Sequence, residues 1–136
     1  YRVTPEKLRR LETALVAYTV VTLAIYLPLE TYASIPYGLT NPFYLVDLVA
    51  MGLMAWGAWR SWRARPGSSV SVMIAGYAWA SANGWRATFD RVDRMQAGGS
   101  RDFGDSELVV VGGSTLLAIA VLALLIVIAT AARTNA

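Results

Sequence analysis

The sequence predicts an all-α integral membrane protein: one domain, residues 1–136, forming an antiparallel, up-down bundle of four transmembrane helices with both termini in the cytoplasm. Residues 108–132 contain no charged residue, and a helix of that length is about 37 Å long, enough to cross a bilayer. Three further apolar stretches, residues 13–29, 42–59 and 69–85, are at or near spanning length. With 56% hydrophobic residues and a mean hydropathy of +0.45, the chain has almost nothing left for a soluble domain.

The basic residues predict the orientation of the bundle. The loop between the first and second spans contains no Lys or Arg. Cytoplasmic segments are enriched in these residues, so both termini and the loop between the second and third spans are expected in the cytoplasm. The expected location is the plasma (inner) membrane of a bacterium or archaeon, crossed several times. The basic residues that set this orientation are Arg2, Lys7, Arg9, Arg10, Arg60, Arg63, Arg65 and Arg133.

The first two helices have matching start signals. The first is predicted over residues 5–30, because Thr4 is a favourable N-cap and Pro5 suits the first helical position. The second is predicted over residues 42–62, because Asn41 is again followed by a proline. Both helices therefore begin at a capping residue followed by proline.

The last two helices are bounded by turn residues. Pro66 and Gly67 end the second helix and predict a tight cytoplasmic turn before a third helix over residues 69–95. Ser106 is the expected N-cap of a fourth helix over residues 106–132. The glycine-rich, charged segment between them, residues 96–105, is an outer loop of a composition that orders against a partner.

The third helix carries the most informative packing pattern. Gly76, Ala80 and Gly84 recur every four residues and predict a small-residue ridge that lets another backbone approach closely. This helix is expected to be the buried central one. Tight packing within the chain is the favoured interpretation, and packing against a copy or another protein is the alternative.

Polar residues lie beside this ridge. Trp79, Asn83, Arg86 and Asp90 share one stripe and are predicted to face protein. Asp47, on the second helix, lies about 9 Å below the outer end of its helix, at a similar depth to Arg86, which predicts an Asp47–Arg86 pair. Charges at membrane depth are costly and suggest a function, although they also lock helix register. The candidate ligand or ion site consists of Glu30, Asp47, Trp79, Asn83, Arg86 and Asp90.

Composition excludes several kinds of chemistry. The chain has no Cys and no His, which removes disulfides, thiol catalysis, thiolate metal sites and the commonest metal ligand and general base. No catalytic constellation is present, so we expect no enzyme, no metal site and no cofactor, while a bound lipid or pigment remains compatible with the pattern. The net charge of +3 comes from short segments beside the spans, which argues against nucleic-acid binding.

Three functional hypotheses follow. The first is a non-catalytic membrane subunit that packs its small-residue and apolar helix faces against partner membrane proteins, copies of itself, lipids or pigments. The second is a small oligomeric transporter or channel with a polar site near the outer leaflet formed by Asp47, Asn83 and Arg86. The third is an anchor whose outer loop and polar cluster recruit a partner outside the cytoplasm.

Overall fold

The chain forms four α-helices joined by short connections. A computed structural model describes residues 4–64, 67, 69–98 and 105–134. The helices are α1 (Pro5–Ser34), α2 (Pro42–Arg63), α3 (Val70–Gln96) and α4 (Asp105–Thr134), with a 3₁₀ turn, Ile35–Tyr37, after α1. The described part of the chain is therefore all-helical, as predicted.

Three helical segments are long and apolar enough to cross a membrane: Pro5–Tyr37, Pro42–Arg63 and Leu108–Thr134. These are the properties of a membrane protein. The sequence predicted four such segments, and α3 does not reach the same apolarity. Small and weakly polar residues fill its first half and five charged residues lie in its C-terminal part, which lowers its hydropathy.

The first two helices begin at the predicted caps. Thr4 Oγ1 accepts a hydrogen bond from the Lys7 backbone N–H at 3.4 Å, and Pro5 follows as the first helical residue. Asn41 Oδ1 accepts from the Phe43 N–H at 3.0 Å. Each side chain satisfies a backbone donor that the helix itself leaves unpaired.

The helices are somewhat longer than predicted. α1 continues beyond residue 30 to Ser34, and α4 already includes Asp105, so Ser106 lies within the helix rather than at its cap. Gly67 has a φ of 77°, a left-handed conformation that glycine adopts without strain, as expected for the tight turn. Pro66 of that turn and residues 99–104 of the predicted outer loop lie outside the described residues.

The central helix is α3, which packs along both α2 and α4, while α1 packs mainly on α2 and over a shorter stretch on α4. Along the α2–α3 interface, early residues of one helix meet late residues of the other. The same relation holds between α3 and α4 and between α1 and α2. Representative contacts join Gly57 with Met73, Asp47 with Asn83, Gly84 with Thr115, and Thr31 with Tyr44.

Burial differs sharply between the two ends of the bundle. None of residues 20–34 of α1, residues 82–96 of α3 or residues 108–114 of α4 is buried, and residues 42–49 of α2 contribute only Tyr44. We call this end, residues 20–49, 82–98 and 105–114, the open half. We call the other end, residues 4–19, 50–64, 67, 69–81 and 115–134, the closed half. The connected apolar core lies in the closed half and comprises Leu8, Leu15, Val16, Met54, Ala58, Val70, Met73, Tyr77, Val121, Leu125 and Ile128.

Candidate functional site

Two of the predicted site residues meet across α2 and α3 in the open half. The Asn83 side-chain amide donates a hydrogen bond to Asp47 Oδ1 at 3.4 Å, and both side chains are half-buried. A bond of this length is weak. The contact that Asp47 makes is therefore with Asn83, one turn of α3 before the predicted partner Arg86.

A second carboxylate joins this pair. Glu30, near the end of α1, is half-buried and close enough to Asp47 for the two carboxylates to repel each other, while Arg91 of α3 attracts Glu30. Arg91 is half-buried and donates to the Ala87 carbonyl at 3.0 Å. We call Glu30, Asp47, Asn83 and Arg91 the polar cluster. It brings together side chains from three helices.

The remaining predicted members lie outside the cluster. Trp79 is 43% exposed, and Arg86 and Asp90 are also exposed, so their predicted protein-facing position is wrong. The cause is geometric: at about 100° per residue, these three side chains share an arc that neither α2 nor α4 covers. Asn83 lies at the edge of that arc and alone reaches α2. Asp90 instead forms a salt bridge with Arg94 one turn along the helix.

The small-residue ridge of α3 is occupied within the chain. A Cβ on Gly76 would lie 2.8 Å from the Met54 backbone nitrogen of α2, and one on Gly84 would clash with Thr115 Oγ1 of α4. Ala80, between them, is partly buried and packs against the core. The ridge therefore holds α3 between its two neighbours, which is the in-chain packing that the sequence favoured.

The sequence analysis also did not identify a buried carboxylate in the closed half. Glu12 of α1 is only 3% exposed; its Oε2 accepts a hydrogen bond from the Gly67 backbone N–H at 2.9 Å. The sequence analysis did not select Glu12 as a candidate site residue. The available signal was its spacing, because Glu12 falls on the same helix face as Leu8, Leu15 and Thr19.

Between the two carboxylate regions, a hydroxyl pair crosses the middle of the bundle. Thr19 Oγ1 lies 2.8 Å from the Tyr77 hydroxyl and 2.7 Å from the Leu15 carbonyl oxygen, and both hydroxyl-bearing side chains are almost fully buried. Every polar atom of this pair has a partner, which makes it a stabilising contact between α1 and α3.

An apolar cavity of about 240 Å³ lies between α3 and α4 in the region where the two halves meet. Its aromatic wall consists of Trp85 and Phe89, whose ring centroids are 4.9 Å apart. A cavity of this character suits a hydrocarbon chain rather than a polar solute. The lining residues are Trp85, Thr88, Phe89, Gly112, Thr115 and Leu116.

The polar cluster contains two carboxylates, one amide and one guanidinium group. Among the described residues, no three His, Cys, Asp or Glu side chains converge on a point where they would hold a metal ion. The carboxylates and the amide oxygen are able to accept hydrogen bonds, and the carboxylates are able to pair with a cation.

Comparisons with protein-family models, with curated proteins and with solved structures find no match.

Proposed function

We propose that this chain is a non-catalytic subunit of a membrane complex whose open half is completed by a transmembrane helix of another polypeptide. In this proposal four antiparallel helices cross the plasma membrane of a bacterium or archaeon, the closed half and both termini lie on the cytoplasmic side, and the open half lies toward the outer leaflet. The antiparallel topology is supported by the interhelical contacts, which join early residues of one helix with late residues of its neighbour. The arginines beside the closed half support the orientation.

As the fourth span, α3 needs less apolarity than the other three. Its 27 residues make a helix about 40 Å long, sufficient to cross the hydrocarbon core. Because α2 and α4 cover two of its sides, Gly76 and Ser81, two of the small residues that lower its hydropathy, are buried against protein. Its uncovered arc includes the exposed aromatic residues Trp79, Trp85 and Phe89, which suit lipid and its interface.

The observation that carries the proposal is the incomplete burial of the open half around ionisable side chains. Glu30, Asp47 and Arg91 are each half-buried there, with no apolar core beside them. A charge at the centre of a bilayer costs about 2.5–3.5 kcal/mol on insertion scales, so lipid acyl chains solvate these ionisable groups poorly. A helix carrying hydrogen-bonding side chains satisfies them and also buries the adjoining apolar surface.

Site-specific photo-cross-linking tests the proposal. Tyr26 is half-buried on the face of α1 that also carries Thr19 and Glu30, whereas its neighbour Ile25 is 55% exposed on the outside. A photo-reactive residue at position 26, activated in native membranes, is expected to give a discrete adduct with one polypeptide in fixed ratio. Position 25 is the matched control and is expected to label lipid.

Cross-linking that is equal at positions 25 and 26, or confined to lipid at both, contradicts the proposal. Native mass spectrometry after gentle extraction identifies whether the adduct is a different protein or a second copy of this chain. The molar ratio of this chain to its partner in the extracted complex should be the same with and without irradiation. Glu30→Gln is expected to lower the adduct yield because it removes a charged group to which the partner helix is proposed to hydrogen-bond.

A second candidate is a small oligomeric transporter, favoured by the proximity of the Glu30 and Asp47 carboxylates on different helices. Two acidic groups close together are suited to attract a cation or a polar solute. This candidate predicts a homo-oligomer that is stabilised by its solute, because a ligand that binds only the folded state raises the free energy of unfolding. A partner protein in fixed ratio instead favours the subunit.

A further inference from the structure

A second cavity lies in the closed half, between the start of α1 and the end of α2. Its volume is about 270 Å³, and it is lined by Arg9, Glu12, Thr13, Val16, Ser61 and Trp62. It is separate from the polar cluster: Glu12 and Glu30 are 18 residues apart on α1, which corresponds to about 27 Å along the helix axis. The proposed subunit function does not use this cavity.

Glu12 presents an unpartnered oxygen at this cavity. The residue is 3% exposed, its Oε2 accepts from the Gly67 N–H, and its Oε1 has no hydrogen-bond partner among the described residues. A buried carboxylate without a cation or further donors is strongly unfavourable. The nearest lining cation, Arg9, is exposed and donates through Nη1 to the Ala64 carbonyl at 3.0 Å.

Ser61 presents a second orphan atom to the same cavity. The residue is 3% exposed and its Oγ has no hydrogen-bond partner within the described chain. A hydroxyl both donates and accepts, whereas Glu12 Oε1 as a carboxylate oxygen only accepts. A guest that donates a hydrogen bond to each atom carries at least two polar hydrogens, and a positive charge on that guest would offset the carboxylate.

We propose that this cavity binds a primary ammonium group, which donates hydrogen bonds to Glu12 Oε1 and Ser61 Oγ. A compact ammonium carries three donors and so serves both acceptors. Trp62 and Arg9 are the exposed residues of this lining together with Thr13, so an anionic group attached to the amine is expected to meet Arg9. Ethanolamine phosphate has this arrangement, as the headgroup of a membrane lipid or as a free molecule.

Thermal unfolding of the purified protein in detergent tests the proposal, with ethanolamine as the probe and choline as the comparison. Ethanolamine is expected to raise the melting temperature in a saturable way, and choline is not, because its trimethylammonium group has no N–H donor. Stabilisation by both amines to the same extent, or by neither, overturns the proposal. Either result means that the cavity does not select a primary ammonium group through its N–H donors.

Substitutions locate the binding site. Glu12→Gln keeps an acceptor for the Gly67 N–H but removes the charge, and it is expected to weaken ethanolamine binding at least about tenfold. Ser61→Ala is expected to weaken it by about three- to tenfold. The matched control is Glu6→Gln, on the same helix: Glu6 pairs with Arg10 at 2.7 Å and its side chain is 75% exposed. Equal weakening by Glu6→Gln overturns the assignment.

A bilayer experiment distinguishes the two sources of the amine. The protein is reconstituted in two kinds of nanodisc, one of phosphatidylcholine alone and one that also contains phosphatidylethanolamine. Soluble ethanolamine phosphate is then added to the nanodiscs of phosphatidylcholine alone. Stabilisation by the lipid alone assigns the site to a headgroup, and stabilisation by the soluble compound assigns it to a free amine. In both cases Glu12→Gln must abolish the effect, and an effect that survives this substitution overturns the proposal.

Discussion

Gly57→Ala is the substitution whose effect the structure determines most directly. A Cβ at residue 57 of α2 would lie 2.5 Å from the backbone nitrogen of Met73 and 2.8 Å from its Cα, whereas ordinary contact begins at 3.4 Å. A backbone atom cannot rotate away, so α2 and α3 would have to separate by about 0.9 Å at the tightest point of the core. Overpacking of this kind costs about 1–3 kcal/mol.

The same helix offers a matched control. At Gly52, no atom lies within 4 Å of the position that a Cβ would take, so Gly52→Ala adds a methyl group to open space. Both substitutions gain helix propensity, by up to about 1 kcal/mol in water. The difference between the two variants therefore isolates the overpacking, and we expect Gly57→Ala to be about 1–3 kcal/mol less stable than Gly52→Ala.

The free energy of unfolding is measured by titrating sodium dodecyl sulfate into the protein in mixed micelles and following helicity by circular dichroism. The prediction concerns the difference between the two midpoints at equal slope. If Gly57→Ala is as stable as Gly52→Ala, then α2 and α3 do not approach each other closely at this point. The α3-centred packing derived from the glycines would then be wrong.

Two further predictions concern the contacts of α3. In double-mutant cycles, Asp47→Ala with Asn83→Ala should show coupling of about 0.5 kcal/mol or more, and Asp47→Ala with Arg86→Gln should be additive within about 0.5 kcal/mol; the reverse ranking would restore Arg86 as the partner. Gly84→Ala should destabilise the protein because its Cβ would clash with Thr115 Oγ1, and Thr115→Ala should recover most of the loss in the double variant; an unrecovered loss would show that the clash is elsewhere.

Much of the fold could be predicted from the sequence because apolar runs and caps are local signals. Thr4 and Asn41 each precede a proline, and both cap their helices as expected. The buried stripe of α2 also follows from period alone, since Ala50, Met54 and Ala58 recur on one face and all three are buried. These features depend on neighbours within a few residues, which the sequence displays directly.

The candidate site was harder to predict because helical period gives the faces of a helix but not which arc its neighbours cover. Trp79, Arg86 and Asn83 share a stripe, yet only Asn83 lies close enough to α2 to be partly enclosed. Glu12 was not selected for a related reason: a charged residue is usually exposed, but this one lies on the face of α1 that carries the core residues Leu8 and Leu15. Tertiary packing decided both cases.

The unequal burial of the two halves could not be predicted from composition. Apolar residues are more frequent in residues 20–29 of α1 than in the first part of the helix, although the buried core lies beside the first part, and nothing local distinguishes a residue facing lipid from one facing another helix. Val20, Val21 and Ile25 are all more than half exposed. Only the arrangement of all four helices reveals that the core ends near Thr19.

Cysteine accessibility across α3 tests the central claim, that this helix crosses the membrane and places the open half outside the cytoplasm. The chain contains no Cys, so each introduced thiol is the only one. Ser71 and Ala97 are exposed at the two ends of α3. With a membrane-impermeant maleimide on intact spheroplasts, Ala97→Cys should react at once and Ser71→Cys only after permeabilisation. Reaction of both thiols from the same side would contradict the four-span arrangement and the function built on it.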